Sequence, residues 1–221
     1  MDTMDSDTIE ERMIMLKRYL LCLLFIISGF FIWSAINPAD TLTWVLETFP
    51  GAFIAIVFVY QYYRKQPLTL LVYSIIAVLI ILTFIGGHYT YDDVPLFDTL
   101  ARSMGWERNP YDRVGHFLKG SLAIVFRELL LLYTPLVRGR WLQCIAVCFV
   151  AALASLYEMI EFIAAKIMGK SAEDFQGMQG DLWDAQWDMI LAFSGSILAL
   201  LLLTAIHDKA LRAQAYKNKR Q

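Results

Sequence analysis

Three things are scarce in this chain: an excess of charge of either sign, the basic start expected of a secretory leader, and a disulfide framework. The formal net charge is −2, so nothing in the balance invites nucleic acid. There are three cysteines, Cys22, Cys144 and Cys148, each inside an apolar run and none at the spacing of a secreted disulfide scaffold. They read as small buried apolar residues. Cys144 and Cys148 stand at i, i+4, but no histidine lies near them to complete a metal pair. Residues 1–11 are acidic where a secretory leader would be basic. The first apolar run, 19–36, is long enough to span a bilayer and has no small-residue cleavage site, so it is expected to remain as a helix. Internal repeats and low-complexity tracts are absent too.

What is present is hydrophobicity. Apolar residues make up 58% of the 221, and the mean hydropathy is +0.51, outside the range of ordinary soluble domains. Six apolar segments, at 19–36, 44–62, 68–85, 113–136, 141–167 and 185–206, approach the ~20 residues that a ~30 Å hydrocarbon core demands. Backbone groups in lipid must be satisfied within their own segment, so all six are expected as helices. The expectation is an all-α polytopic bundle: a cytoplasmic segment over 1–18, a six-helix transmembrane domain over 19–206 and a basic tail over 207–221.

Lysine and arginine set the orientation. Arg12, Lys17, Arg18, Arg64, Lys65, Arg138, Arg140, Lys209, Arg212, Lys217, Lys219 and Arg220 fall on one side. Arg102, Arg108, Lys166 and Lys170 fall on the other, which puts both termini in the cytoplasm. Trp44, Trp106, Trp141 and Trp183 stand at or near segment ends, as interfacial anchors do. The two longer connections, 87–109 with an amphipathic piece at 96–104 and 168–180, both fall outside.

Polar residues inside the apolar segments are the informative ones, because lipid makes each of them costly. Asn109-Pro110-Tyr111-Asp112 starts the fourth segment, with Asn109 as cap, Pro110 at the first helical position and Asp112 in the acid-favouring first turn. His116 and Lys119 share a face with Asp112 at i, i+4 and i, i+7, and capping does not account for either. Snorkelling toward the interface is the ordinary reading of Lys119. Arg127 and Glu128 lie deeper and read as a buried structural ion pair with other helices. On the fifth segment Glu158 and Glu161 sit near the outer end, under the small residues Ala151, Ala154 and Ser155 that allow close helix contact. On the sixth, Asp181, Asp184 and Asp188 form one stripe, and Gly195 continues it. Asp181 and Asp184 can serve the helix start; Asp188 is two turns in and cannot.

The stated topology brings His116, Glu158, Glu161, Asp184 and Asp188 to the outer leaflet from three helices. That coincidence predicts one polar pocket open to the exterior. Carboxylates outnumber cations in it, so it needs a bound divalent cation, protonated carboxyls or ion pairs with Lys119 and Arg113. The candidate metal ligands are His116, Glu158, Glu161, Asp184 and Asp188, for one divalent ion among Mg²⁺, Mn²⁺, Ca²⁺ and Zn²⁺. The candidate catalytic residues are His116, Lys119, Glu158, Asp184 and Asp188, acting on a lipid or lipid-linked headgroup, with Lys119 on a phosphate oxygen. An ion- or proton-coupled carrier and a structural or partner-binding membrane protein are the alternatives. The expected partners are the bilayer and a lipid-linked ligand.

Three motifs, 111–117 (Tyr-Asp-Arg-Val-Gly-His-Phe), 157–161 (Tyr-Glu-Met-Ile-Glu) and 180–189 (Gly-Asp-Leu-Trp-Asp-Ala-Gln-Trp-Asp-Met), resemble those of the YjdF-like family over roughly residues 10–206. That resemblance implies a multi-pass bacterial inner-membrane protein of no established activity. A looser similarity runs to VanZ-like proteins over about 109–200, through the aspartate before His116-Phe117, the glutamate closing a helix and the aspartate opening the last one. The chain departs from that pattern at Gly169-Lys170, which leads into a longer acidic loop, and at Asp184 and Asp188.

Overall fold

The computed structural model describes residues 6–63, 68–168 and 179–218. Among these the structure is helical throughout, in the order α1 (Ser6–Ser34), α2 (Thr41–Tyr63), α3 (Leu70–Tyr89), α4 (Pro95–Met104), α5 (Tyr111–Lys119), α6 (Leu122–Tyr133), α7 (Arg140–Met168) and α8 (Asp184–Asn218). Most of the acidic outer connection 168–180, with Gly169 and Lys170, lies outside the described residues, as do Arg64 and Lys65. Both end helices outrun the expected 19–206 domain: α1 begins at Ser6 and α8 continues to Asn218.

Five helical stretches are long and apolar enough to cross a membrane: Ile14–Ser34, Thr41–Tyr60, Leu70–Tyr89, Arg140–Ile167 and Asp184–Ala213. Their surfaces are those of a protein built for lipid. Phe25 is 81% exposed and Leu201 76%, while the buried polar groups Arg127, Glu128 and His207 fill the inside. The cysteines follow the same inversion. We expected Cys22, Cys144 and Cys148 to be buried; all three are free and lie on exposed helix faces. An apolar side chain gains nothing from the interior when its alternative environment is a lipid tail.

The segment expected as one helix over 113–136 is two. The ladder changes at Gly120 and Ser121, where the amides bond three residues back, to Phe117 and Leu118, before α6 begins at Leu122. The cause is a helix crossing. A Cβ on Gly195 of α8 would stand 2.0 Å from the Phe117 carbonyl oxygen, and one on Gly120 would stand 2.4 Å from the Gly195 carbonyl carbon. The two backbones touch there with no side chain between them, and the tightened turn of α5–α6 lies at that contact. Ser196, fully buried, turns its hydroxyl back to the Phe193 carbonyl and so presents no unsatisfied donor at the crossing.

Around this crossing the bundle closes through an apolar core of Val72, Ile76, Ile80 and Phe84 from α3, Ala123 and Ile124 from α6, Ala146 and Val150 from α7 and Ala192 from α8. Gly51, after the helix-interior Pro50 of α2, seats α2 against Phe84. The α3 helix stops at two left-handed residues, Thr90 and Tyr91, and folds the Tyr91 ring over Gly86, where a Cβ would meet the ring at 2.5 Å. The amphipathic piece expected at 96–104 is α4.

Gly195→Ala is therefore expected to destabilise the bundle by about 1–3 kcal/mol or to block folding, through overpacking against the Phe117 carbonyl. Gly29→Ala, at a site with nothing within 4 Å, should leave thermal stability in detergent unchanged or slightly raised. Equal melting temperatures for the two variants would remove the crossing from its organising role.

Candidate functional site

At one end of the bundle α5, α7 and α8 present polar side chains to one another. His116, on the inner face of α5, is 3% exposed and Asp188 of α8 is 4% exposed. One ligand atom from each of Asp112, His116 and Asp188 lies within 4.8 Å of the others. Glu158 of α7 places Oε1 4.0 Å from His116 Nδ1. The Lys119 ammonium lies 2.9 Å from His116 Nε2 and 4.9 Å from the centre of the Tyr157 ring. An ammonium has only protons to give, so Nε2 accepts and the neutral ring carries its proton on Nδ1. Lys119 thus turns inward to the site rather than snorkelling away from it. Its cation–π contact with Tyr157 holds it there.

The arginines occupy the rim. Arg108 pairs with Asp184 and stands 3.6 Å from Asp112, and Arg113 pairs with Asp181 at 2.5 Å and lies over Trp187. Asp181 Oδ1 accepts the Trp183 amide at 2.9 Å, making the turn before α8, which begins at Asp184. That amide, helped by the Arg113 guanidinium, holds the Asp181 carboxyl below its usual range. Deeper in, the atoms His116 Nδ1, Glu158 Oε1 and Asp188 Oδ1 are buried without a hydrogen-bond partner. Buried polar atoms are nearly always paired, so three orphans facing one region are a chemical feature, not background.

Asp112 stands in the first turn, as expected, and takes a further part there. The helix starts one residue later than expected, at Tyr111, whose amide is received by Asn109 Oδ1. From the first turn Asp112 reaches Arg108 and His116, the latter at 3.5 Å. The i, i+4 spacing of Asp112 and His116 was the signal for this. Glu47 of α2 had no such signal. It receives the Tyr157 hydroxyl at 2.8 Å and extends the polar interior to a fourth helix. Glu161, one turn beyond Glu158, is half-buried and outside the close group of Asp112, His116 and Asp188. Ser155, on the small-residue face of α7, meets Met189 of α8 at 3.2 Å.

The loop beside the site is tied down by Gln179, which accepts the Asn109 amide at 2.8 Å and donates to Asp92 Oδ1 at 2.9 Å. Asn109 Nδ2 donates in turn to Asp98 Oδ1 at 2.6 Å.

The opposite end of the bundle is polar as well, and there the Glu128 oxygens and both His207 nitrogens are bonded, with Arg127 Nε left over. Glu128 accepts the Thr69 amide and the Thr69 hydroxyl, each at 2.6 Å, and His207 Nε2–H at 2.7 Å. His207 Nδ1 then accepts from Arg127 at 2.8 Å, and Arg127 also reaches Asp208 at 2.6 Å. Arg127 and Glu128 are a structural network, as their depth suggested, although each pairs with α8 and not with the other. Removing one partner of such a buried set costs about 3–5 kcal/mol.

A multi-pass helical bundle with polar groups gathered at both ends is a membrane architecture, and sequence comparison agrees: the chain belongs to the family described as "Predicted membrane protein (DUF2238)", whose model matches residues 19–209. It is 40% identical over 185 residues to "Inner membrane protein YjdF" of Escherichia coli (strain K12), covering 82% of this chain and 87% of the relative. The expected family and inner-membrane location hold on these grounds. No solved structure matches the chain.

Asp92 gives the site's surroundings a pH dependence. Burial pushes its carboxyl up to about 6, against the Gln179 hydrogen bond that lowers it. The folded state therefore holds a proton that the unfolded chain, titrating near 4, gives up. The resulting stability is present at low pH and is lost as pH rises through about 6. Asp92→Asn keeps an oxygen for Gln179 and should stabilise the protein at pH 8 by on the order of 1 kcal/mol, a value held down by solvent screening of a partly exposed group. It should have no such effect near pH 4. A melting-temperature difference that fails to grow between pH 4 and pH 8 would contradict this.

Proposed function

We propose that the α5–α7–α8 pocket binds, and places for acid–base chemistry, the polar headgroup of a lipid or lipid-linked envelope molecule at the outer face of the inner membrane. The observation that carries this reading is the set of unpartnered buried atoms, His116 Nδ1, Glu158 Oε1 and Asp188 Oδ1, opposite the Lys119 ammonium. They offer a ligand both acceptors and donors at the end of the bundle where headgroups lie. His116 and Glu158, 4.0 Å apart, stand close enough to tighten into an acid–base pair around a bound group. Lys119 and Arg108 supply the charge for a phosphate oxygen.

The carrier alternative draws no comparable support. Its deep residues Arg127 and Glu128 are engaged with Thr69, His207 and Asp208 and leave no unpartnered carboxylate oxygen on a path across the bundle.

In this reading α5 and α6 together make a sixth crossing, both termini are cytoplasmic and the pocket opens outward. The α5–α6 pair meets α8 at His116 and Asp188 near one end and at Arg127 and His207 near the other, so it runs alongside a helix long and apolar enough to cross a membrane. Alkaline phosphatase fused after Gly105 should be active and fused after Asn218 inactive; activity at both points would overturn the topology.

Native mass spectrometry of the detergent-purified protein with a phospholipid and a polyprenyl phosphate tests the headgroup reading. At least one should bind, about ten-fold more weakly to His116→Ala and Lys119→Ala, the ~1.4 kcal/mol expected of one lost charge-assisted hydrogen bond. Indistinguishable binding by folded wild type and variants would end this reading.

A further inference from the structure

We propose that Asp112, His116 and Asp188 form a binding site for one divalent transition-metal ion, with Glu158 as a further oxygen donor. A site of this kind needs carboxylate oxygens and an imidazole converging within a few ångströms, side chains withdrawn from water, and uncompensated negative charge. All three are present. One ligand atom from each of the three residues lies within 4.8 Å of the other two. Ions bound at about 2.0–2.2 Å hold their ligands about 3–4 Å apart, so closure requires each side chain to move by less than about 1 Å. His116 and Asp188 are more than nine-tenths buried, and each keeps a polar atom unpartnered, Nδ1 and Oδ1.

The charge balance points the same way. Arg108 is shared between Asp184 and Asp112, and Arg113 is committed to Asp181. The Asp188 Oδ1 and Glu158 Oε1 atoms receive no hydrogen bond from either. Lys119 brings one positive charge to the pocket and spends its contact on the imidazole. A dication supplies what two neighbouring carboxylates lack.

Ligand type narrows the metal. Carboxylates alone would suit Mg²⁺, Ca²⁺ or Mn²⁺; an imidazole beside them favours Zn²⁺. Asp112 and His116 of α5 and Asp188 of α8 supply three ligands, and Glu158 of α7 stands near enough to His116 to supply a fourth. Arg108 reaches Asp112 from outside the ligand set. Ligation through His116 Nδ1 moves the ring proton to Nε2, and the Lys119 ammonium must then withdraw from that nitrogen.

The site shares His116, Asp188 and Glu158 with the headgroup pocket, but the two readings are tested separately. Stoichiometric metal without lipid binding would keep the first and remove the second, and lipid binding without metal would do the reverse. The experiment begins with the full-length protein in detergent, stripped with a chelator and then titrated with Zn²⁺ and, separately, Mn²⁺. About one Zn²⁺ per chain is expected, with affinity at least about ten-fold lower in Asp188→Asn and His116→Ala. Gel filtration and circular dichroism establish that the variants are folded. Should either variant fail to fold, pulsed electron paramagnetic resonance of Mn²⁺ on the wild type decides alone, because coordinated imidazole gives a nitrogen coupling. Absence of Zn²⁺ binding below 1 mM (a Kd equivalent to about −4 kcal/mol), unchanged binding in folded variants, or Mn²⁺ without nitrogen coupling each overturns the proposal.

Discussion

The contact between the backbones of α5 and α8 is the constraint from which the rest follows. At Gly120 and Gly195 no side chain separates the helices, and any Cβ would collide with a carbonyl or with main-chain atoms. In lipid, helix association draws on packing and hydrogen bonding rather than on expulsion of water, so a crossing this close is an attraction that larger residues could not replace. It also fixes register. One turn before Gly120 lies His116, two turns before Gly195 lies Asp188, and the two side chains meet. Beyond the crossing, Arg127 and His207 meet in the same way. The tight turn at Gly120 and Ser121 lies at this contact, with both helices continuing past it.

The two polar ends of the bundle differ in how completely they are answered. Around Glu128 each carboxylate oxygen is received by donors from α3 and α8, and the tautomer of His207 is set by a donor on one side and an acceptor on the other. Around His116 the arginines stop at the rim and the inner atoms lack partners. Buried polar groups that serve only stability tend toward the first condition, since an unpaired one costs about 1–3 kcal/mol. The second condition is what a binding site looks like before its ligand arrives, and it is the ground on which we propose the α5–α7–α8 end, and not the Glu128 end, as the functional one.

Hydropathy made the spans legible because the bilayer enforces length, and helical spacing made the polar stripes legible because side chains three and four apart share a face. His116, Glu158, Asp184 and Asp188 stood out on that basis. Other features depend on partners distant in sequence. Asp112 looked like a helix-start acid, and only the arrival of Arg108 and His116 gives it another part. Glu47 stands alone in an apolar run, and its partner Tyr157 is 110 residues away. His207 and Asp208 fall in the stretch read as a basic tail over 207–221, whereas His207 is fully buried. The cysteines were judged by the habits of water-soluble cores, which do not govern a surface facing lipid. The break at 120–121 falls on a Gly-Ser pair, a local kink signal that the long apolar run around it obscured, and α8 crosses there.

The Glu128 network has a consequence for biogenesis. A nascent chain enters the membrane from its N-terminus, so the start of α3 is placed long before the residue that completes it. Thr69 waits 59 residues for Glu128, and Glu128 waits a further 79 for His207. Until α8 emerges, an arginine and a glutamate on α6 must be sheltered by water, by the insertion machinery or by each other. The first helices can enter lipid in sequence, but α5–α6 can take its final place only after the last helix does. The C-terminal span is in that sense the clasp of the bundle, and its late arrival sets the time at which the pocket at the other end first exists.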